Sequence, residues 1–126
     1  MSDATAIALD SDQPEAMIIP DTYHMFLAGT GPNALGRLRG DFIAIFQFAD
    51  AGKEVEPILH KGVDSQRVLP GDGKIDLKAY LTNLKKTGFD GCVSLELYNP
   101  EYRKREPVAF LEEALRKTVK VVSSAG

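Results

Sequence analysis

Three observations in the 126-residue sequence predict an α/β fold with parallel strands. Apolar runs of strand length recur at residues 16–19, 42–48 (FIAIFQF) and 92–97 (CVSLEL). None of them alternates strictly between apolar and polar residues, which is the pattern of strands covered on both faces. Segments with helical spacing lie between the runs, and right-handed parallel crossovers produce that alternation.

Taken in order, residues 2–12 read as the tail of a helix (ATAIAL), and the first strand run ends just before DTYHMF. Residues 32–38 (PNALGRL) form a short helical pattern after the turn GTG and stop at Gly40. The stretch from Asp50 to Gly73 is longer than a usual connection, and residues 56–60 or 67–69 have room for a short helix or an extra strand. Residues 77–86 (LKAYLTNLKK) place Leu77, Tyr80, Leu81 and Leu84 on one helix face, after the cap candidate Asp76 and before Gly88. The last helix, predicted over residues 107–122, has Pro107 in its first turn and an apolar stripe of Phe110, Leu111, Ala114, Leu115, Val119 and Val122. No internal repeat or low-complexity tract is present, so the whole of residues 1–126 reads as a single domain.

A 44% hydrophobic and 26% charged composition is that of a globular protein. A net charge of −3 argues against nucleic-acid binding, which needs a basic face. The cluster Arg103, Lys104 and Arg105 is diluted by Glu101 and Glu106 and reads as a solvated helix start. No apolar stretch approaches the ~20 residues of a membrane span. The N-terminus lacks the basic and apolar regions of a secretion signal, so a cytoplasmic protein is expected. The lone Cys92 allows no internal disulfide, and its apolar surroundings predict a buried thiol.

Each strand run ends with residues able to bind a metal or move a proton: Asp21 and His24, then Gln47 and Asp50, then Glu96. Loops at the C-terminal ends of parallel strands build active sites, because substrate reaches them above a packed core. By alternation, Gln47 shares a side with Ile43 and Ile45, and Glu96 with Ser94. Two carboxylates and an amide oxygen, Asp21, Glu96 and Gln47, make a hard donor set suited to Mg²⁺ or Mn²⁺. Each residue also has a purely structural reading, with Asp21 capping the next turn, Gln47 bonding backbone and Glu96 paired with an arginine. His24 reads equally as a turn histidine, and His60 as a solvated one. Arg67 opens RVLPGDGKID, where Pro70, Gly71 and Gly73 force a tight turn, and it is positioned to reach a substrate anion or hydroxyl. Neither glycine cluster fits a phosphate-cradling or dinucleotide pattern.

DTYHMF at 21–26, IAIFQFADA at 43–51, RVLPGDGKID at 67–76 and GFDGCVSLELYNPEYRKREP at 88–107 together resemble the C-terminal half of xylose isomerase-like TIM-barrel proteins. That family holds sugar phosphate isomerases and epimerases, inosose and dehydroshikimate dehydratases, and relatives of apurinic endonucleases. The resemblance implies a divalent ion at the barrel mouth, with Asp21 and Glu96 as metal ligands and Gln47 where histidine is usual. It also implies Glu96 as the catalytic base, His24 as a companion catalytic and substrate-contacting residue, and Arg67 as a substrate-binding arginine. A metal-dependent sugar isomerase or epimerase follows. Glutamine at position 47 looks like dehydratase members, so a lyase acting on a cyclic polyol or keto acid stands beside it. An endonuclease with several zinc ions would need more histidines than His24 and His60.

A complete barrel needs about 250 residues, so the resemblance implies a half TIM barrel. The family's acidic ligand from strand four has no counterpart here. A half barrel exposes strand edges that invite pairing. Homo-oligomerisation or a complementary half-barrel chain is therefore expected, with a non-catalytic self-associating remnant as the reading from outside enzymology.

Overall fold

The computed structural model describes residues 1–57 and 64–126. Its elements are α1 (Ser2–Asp10), α2 (Thr22–Leu27), α3 (Pro32–Leu35), β1 (Phe46–Phe48), β2 (Asp50–Ala51), β3 (Arg67–Val68), α4 (Leu77–Lys86), β4 (Val93–Leu95) and α5 (Pro107–Ser124). Short 3-10 turns lie at Gly40–Phe42, Asp64–Gln66 and Tyr102–Lys104.

The three apolar runs lie side by side and parallel. β1 pairs with β4 in the register Phe46–Val93, Gln47–Ser94 and Phe48–Leu95. On the other side of β1, the first run joins through two parallel bridges, Ile18 to Ile43 and Asp21 to Gln47. It forms bridges and no continuous ladder because Pro20 has no N–H to give; the Pro20 carbonyl accepts from Gln47 N at 2.9 Å instead. A chain bend at Ala44 interrupts the expected alternation, so Ile43 and Phe46 are both buried while Ile45 is exposed. The short-strand expectation at residues 67–69 is met by β3, which runs antiparallel to β2 beside the parallel strands. The alternative over residues 56–60 falls largely outside the described residues, and His60 with it.

α4 has the bounds its apolar spacing predicts. Leu77, Tyr80, Leu81 and Leu84 are buried, the Asp76 carboxylate caps the helix by accepting from Ala79 N at 3.0 Å, and Lys85 and Lys86 end it. Burial pushes the Tyr80 hydroxyl up to about 12, and it donates to the Thr30 carbonyl at 2.6 Å. α5 extends two residues beyond its expected end. Glu106 caps it, Ala114 is buried, and Val121 and Val122 pack against the core that includes Tyr23, Leu35, Phe46 and Phe48.

Coverage is one-sided, which differs from the both-faces expectation. Met17, Ile19 and Ile45 are exposed on the sheet, as are Val108, Leu111, Leu115 and Val119 along the outer face of α5. Cys92 is exposed, not buried. It precedes β4, which among the described residues has a paired neighbour on one side alone, so apolar sequence neighbours do not cover it. No helix among the described residues is long and apolar enough to cross a membrane.

Candidate active site at the strand ends

The parallel register delivers the first contacts. Asp21 sits opposite Gln47, Gln47 opposite Ser94, and Glu96 N donates to the Phe48 carbonyl at 3.1 Å. Asp21, Gln47 and Glu96 therefore leave three adjacent strand ends on one rim. Gln47 Nε2 donates to Glu96 Oε1 at 2.7 Å. Asp21 also caps α2, its Oδ1 accepting from His24 N at 3.0 Å. The buried Thr22 hydroxyl donates to the Ala49 carbonyl at 2.7 Å and accepts from Ala49 N at 3.0 Å, pinning the first turn of α2 to the chain beyond β1.

Arg67 occupies the middle of this rim. From the sequence it would project from its loop; in the fold its side chain is 1% exposed. Nη1 donates to Asp21 Oδ2 at 2.8 Å, while Nε and Nη2 hold Asp64 Oδ1 at 3.2 and 3.1 Å. Nη2 also stands 3.4 Å from Glu96 Oε2 and 3.1 Å from His24 Nε2. A guanidinium can only donate, so His24 Nε2 accepts and the ring proton sits on Nδ1. The guanidinium stacks 4.7 Å from the Tyr23 ring centre, and Asn99 Nδ2 holds the Arg67 carbonyl at 3.1 Å.

Asp64 and Tyr23 escaped the sequence reading. The three-residue spacing of Asp64 and Arg67 on one turn was a usable sign of the first. Nothing in the sequence marked Tyr23 as the surface on which an arginine would stack.

Electrostatics follow from burial. Burial pushes the Glu96 carboxyl up; Arg67 opposes this, and the neighbouring Asp21 adds to it. Burial alone would lower Arg67, but the hydrogen bond and charge of Asp21 reverse the sign and hold it up. Burial also raises the Tyr23 hydroxyl against the pull of Arg67. Beside these groups a depression of about 200 Å³ opens, lined by Met1, Ile18, Pro20, Asp21, His24 and Gln47. The His24 side chain is 60% exposed at its mouth.

Asp50 is a correction. Grouped by sequence with the metal- or proton-handling strand ends, it is buried and committed to backbone. Its Oδ1 accepts from Ala51 N and Ile75 N at 2.9 Å, and its Oδ2 from Gly71 N and Gly73 N at 3.0 Å. This explains the PGDG turn. Gly71 has φ +88°, and a Cβ at Gly73 would collide with the Ala51 carbonyl.

The family model described as xylose isomerase-like TIM barrel matches residues 1–117. The chain belongs to this family. It is 38% identical over 106 residues to an inosose isomerase of Bacillus subtilis (strain 168), covering 84% of this chain and 37% of that protein. It is 33% identical over 97 residues to a 3-dehydroshikimate dehydratase of Pseudomonas putida, covering 74% of this chain and 14% of that protein. Among solved structures, the IolI protein with a bound zinc atom superposes with a TM-score of 0.90 at 32% identity, over 100% of this chain and 44% of that one. The chain thus spans less than half the length of the inosose isomerases it matches, and its α/β architecture is that of a partial TIM barrel.

A divalent ion fits this rim by donor chemistry. Asp21, Asp64 and Glu96 bring three negative charges to one guanidinium, leaving a deficit of two positive charges among the described residues. Among those residues, no group of three or more His, Cys, Asp or Glu side chains is arranged to hold a metal ion.

Proposed function

We propose that the chain carries the C-terminal part of a metal-dependent active site acting on a sugar, cyclic polyol or related keto compound in the cytoplasm. Asp21, Gln47 and Glu96 would hold a divalent ion, Mn²⁺ or Mg²⁺ by hardness or Zn²⁺ as in the IolI structure. That ion would polarise a substrate hydroxyl and carbonyl pair. Glu96 is the proton-moving base, and His24 with Arg67 binds the substrate oxygens. The observation that carries this reading is the meeting of Asp21, Gln47 and Glu96 on one rim where, with Asp64, three carboxylates share one guanidinium and leave two charges uncompensated.

The leading reaction is isomerisation or epimerisation, in keeping with the inosose isomerases. Dehydration is the second reading, favoured by Gln47 and by likeness to 3-dehydroshikimate dehydratases. Barrel completion is required for either. Among the described residues, the parallel strands β1 and β4 and the bridged first run stand against eight strands in a closed barrel. The exposed Met17, Ile19 and Ile45 and the outer stripe of α5 would be covered by the remaining strands and helices. A complementary part of the barrel, from the same or another polypeptide, would supply them.

The test is to mix the chain with the N-terminal part of an inosose isomerase and Mn²⁺, then follow inosose in D₂O. Deuterium incorporation beside the carbonyl supports isomerisation, and an absorbing enone supports dehydration. A stable monomer with neither product in the mixture leaves only the non-catalytic remnant.

A further inference from the structure

We infer that Arg67 is a resident counter-cation competing with the divalent ion for Asp21 and Glu96, so that metal loading frees it for the substrate. The inference rests on the metal reading above and concerns how that site is regulated.

Three observations carry it. First, the arginine reaches both carboxylates, at 2.8 and 3.4 Å, from a side chain that is 1% exposed. A buried guanidinium with its donors on carboxylates cannot also grip a substrate anion in the same pose. Second, Asp64 holds Nε and Nη2 together and is half exposed at the rim. Arg67 thus keeps one partner when its bonds to Asp21 and Glu96 are given up. Third, the Tyr23 ring lies 4.7 Å from the guanidinium and the Tyr98 ring 6.0 Å away. The cation therefore has apolar surface to rest on as its hydrogen bonds change. A positive charge a few ångströms from a dication repels it strongly at low effective dielectric. The arginine accordingly keeps the acidic rim assembled without metal and weakens metal binding.

An opposing role would have the opposite sign: an arginine that merely orients Asp21 would strengthen metal binding, and its loss would weaken it. Mn²⁺ affinity, measured from depletion of the free-ion EPR signal, separates the two. Arg67→Gln is expected to tighten Mn²⁺ binding at least about tenfold relative to the wild-type chain, and Asp21→Asn to abolish it. Equal or weaker binding by Arg67→Gln, with wild type still binding, overturns the inference and leaves the metal reading standing. Binding by neither protein removes both.

A second measurement needs no variant, in case Arg67→Gln does not fold. In ¹⁵N-arginine-labelled wild type titrated with Mg²⁺, Arg67 is the one buried arginine among the six in the sequence. Its Nη signals are expected to shift in step with binding, while Nε, held by Asp64, shifts least. Nη signals that stay fixed while Mg²⁺ binds overturn the inference.

Discussion

Asp50 and Asp21 are both acids at the ends of neighbouring strand segments, both almost fully buried, and they have been put to opposite uses. Asp50 is answered by four backbone N–H groups, all within 3.0 Å, on the segments just after β1 and around Gly71–Gly73. Backbone donors cannot leave, so its negative charge is permanently matched. Asp21 is answered by one amide and one guanidinium, with two more carboxylates sharing that guanidinium. An exchangeable cation is what the proposed metal site would require. The difference teaches that burial alone does not mark a functional acid; the kind of partner does.

The largest expected effect breaks the structural side of this contrast. Asp50→Ala strands three N–H groups in the turn that follows Arg67 and a fourth on Ala51, and should cost about 3–5 kcal/mol in chemical denaturation. It should do so equally with and without Mn²⁺. Asp21→Ala comes next, at about 2–4 kcal/mol, because it removes the cap of α2 and a buried partner of Arg67. Unlike Asp50→Ala, it should also abolish the rise in melting temperature that Mn²⁺ is expected to give the wild-type chain. If both variants kept that rise, the distinction between the two acids would fail.

The smallest effect belongs to a surface network that serves as a control. Hydrogen bonds from Arg105 and Lys117 pull Glu113 on α5 down to about 2. A depressed carboxyl contributes stability above its unfolded value and loses it as pH falls toward the folded one. Glu113→Gln should therefore be slightly less stable than wild type at pH 7, with the gap closing between about pH 4.5 and 2. Mn²⁺ should leave this variant's difference from wild type unchanged.

Legibility was uneven in a consistent way. α4 was readable because a helix buries residues three and four apart, and Leu77, Tyr80, Leu81 and Leu84 state that spacing directly; α5 was readable as a helix, but Leu111, Leu115 and Val119 of its expected stripe are exposed. α2 was not, since DTYHMF follows a strand and its six residues give too short a pattern. Cys92 was misjudged because an apolar run says that a strand exists but not whether its outer side is covered. Asp21, Gln47 and Glu96 were placed together by their shared position at strand ends, and the structure does bring those three to one rim.

By itself the sequence determined the elements whose causes are local: the capped amphipathic helices, the strand runs in their parallel order, and the Pro-Gly turn before Asp76. Only the tertiary structure decided which acid is satisfied by backbone and which by a cation, and that Arg67 is buried instead of projecting. The reason is distance along the chain. Arg67 meets Asp21 across 46 residues and Gln47 meets Glu96 across 49, and no local pattern records a charge balance struck between segments that far apart.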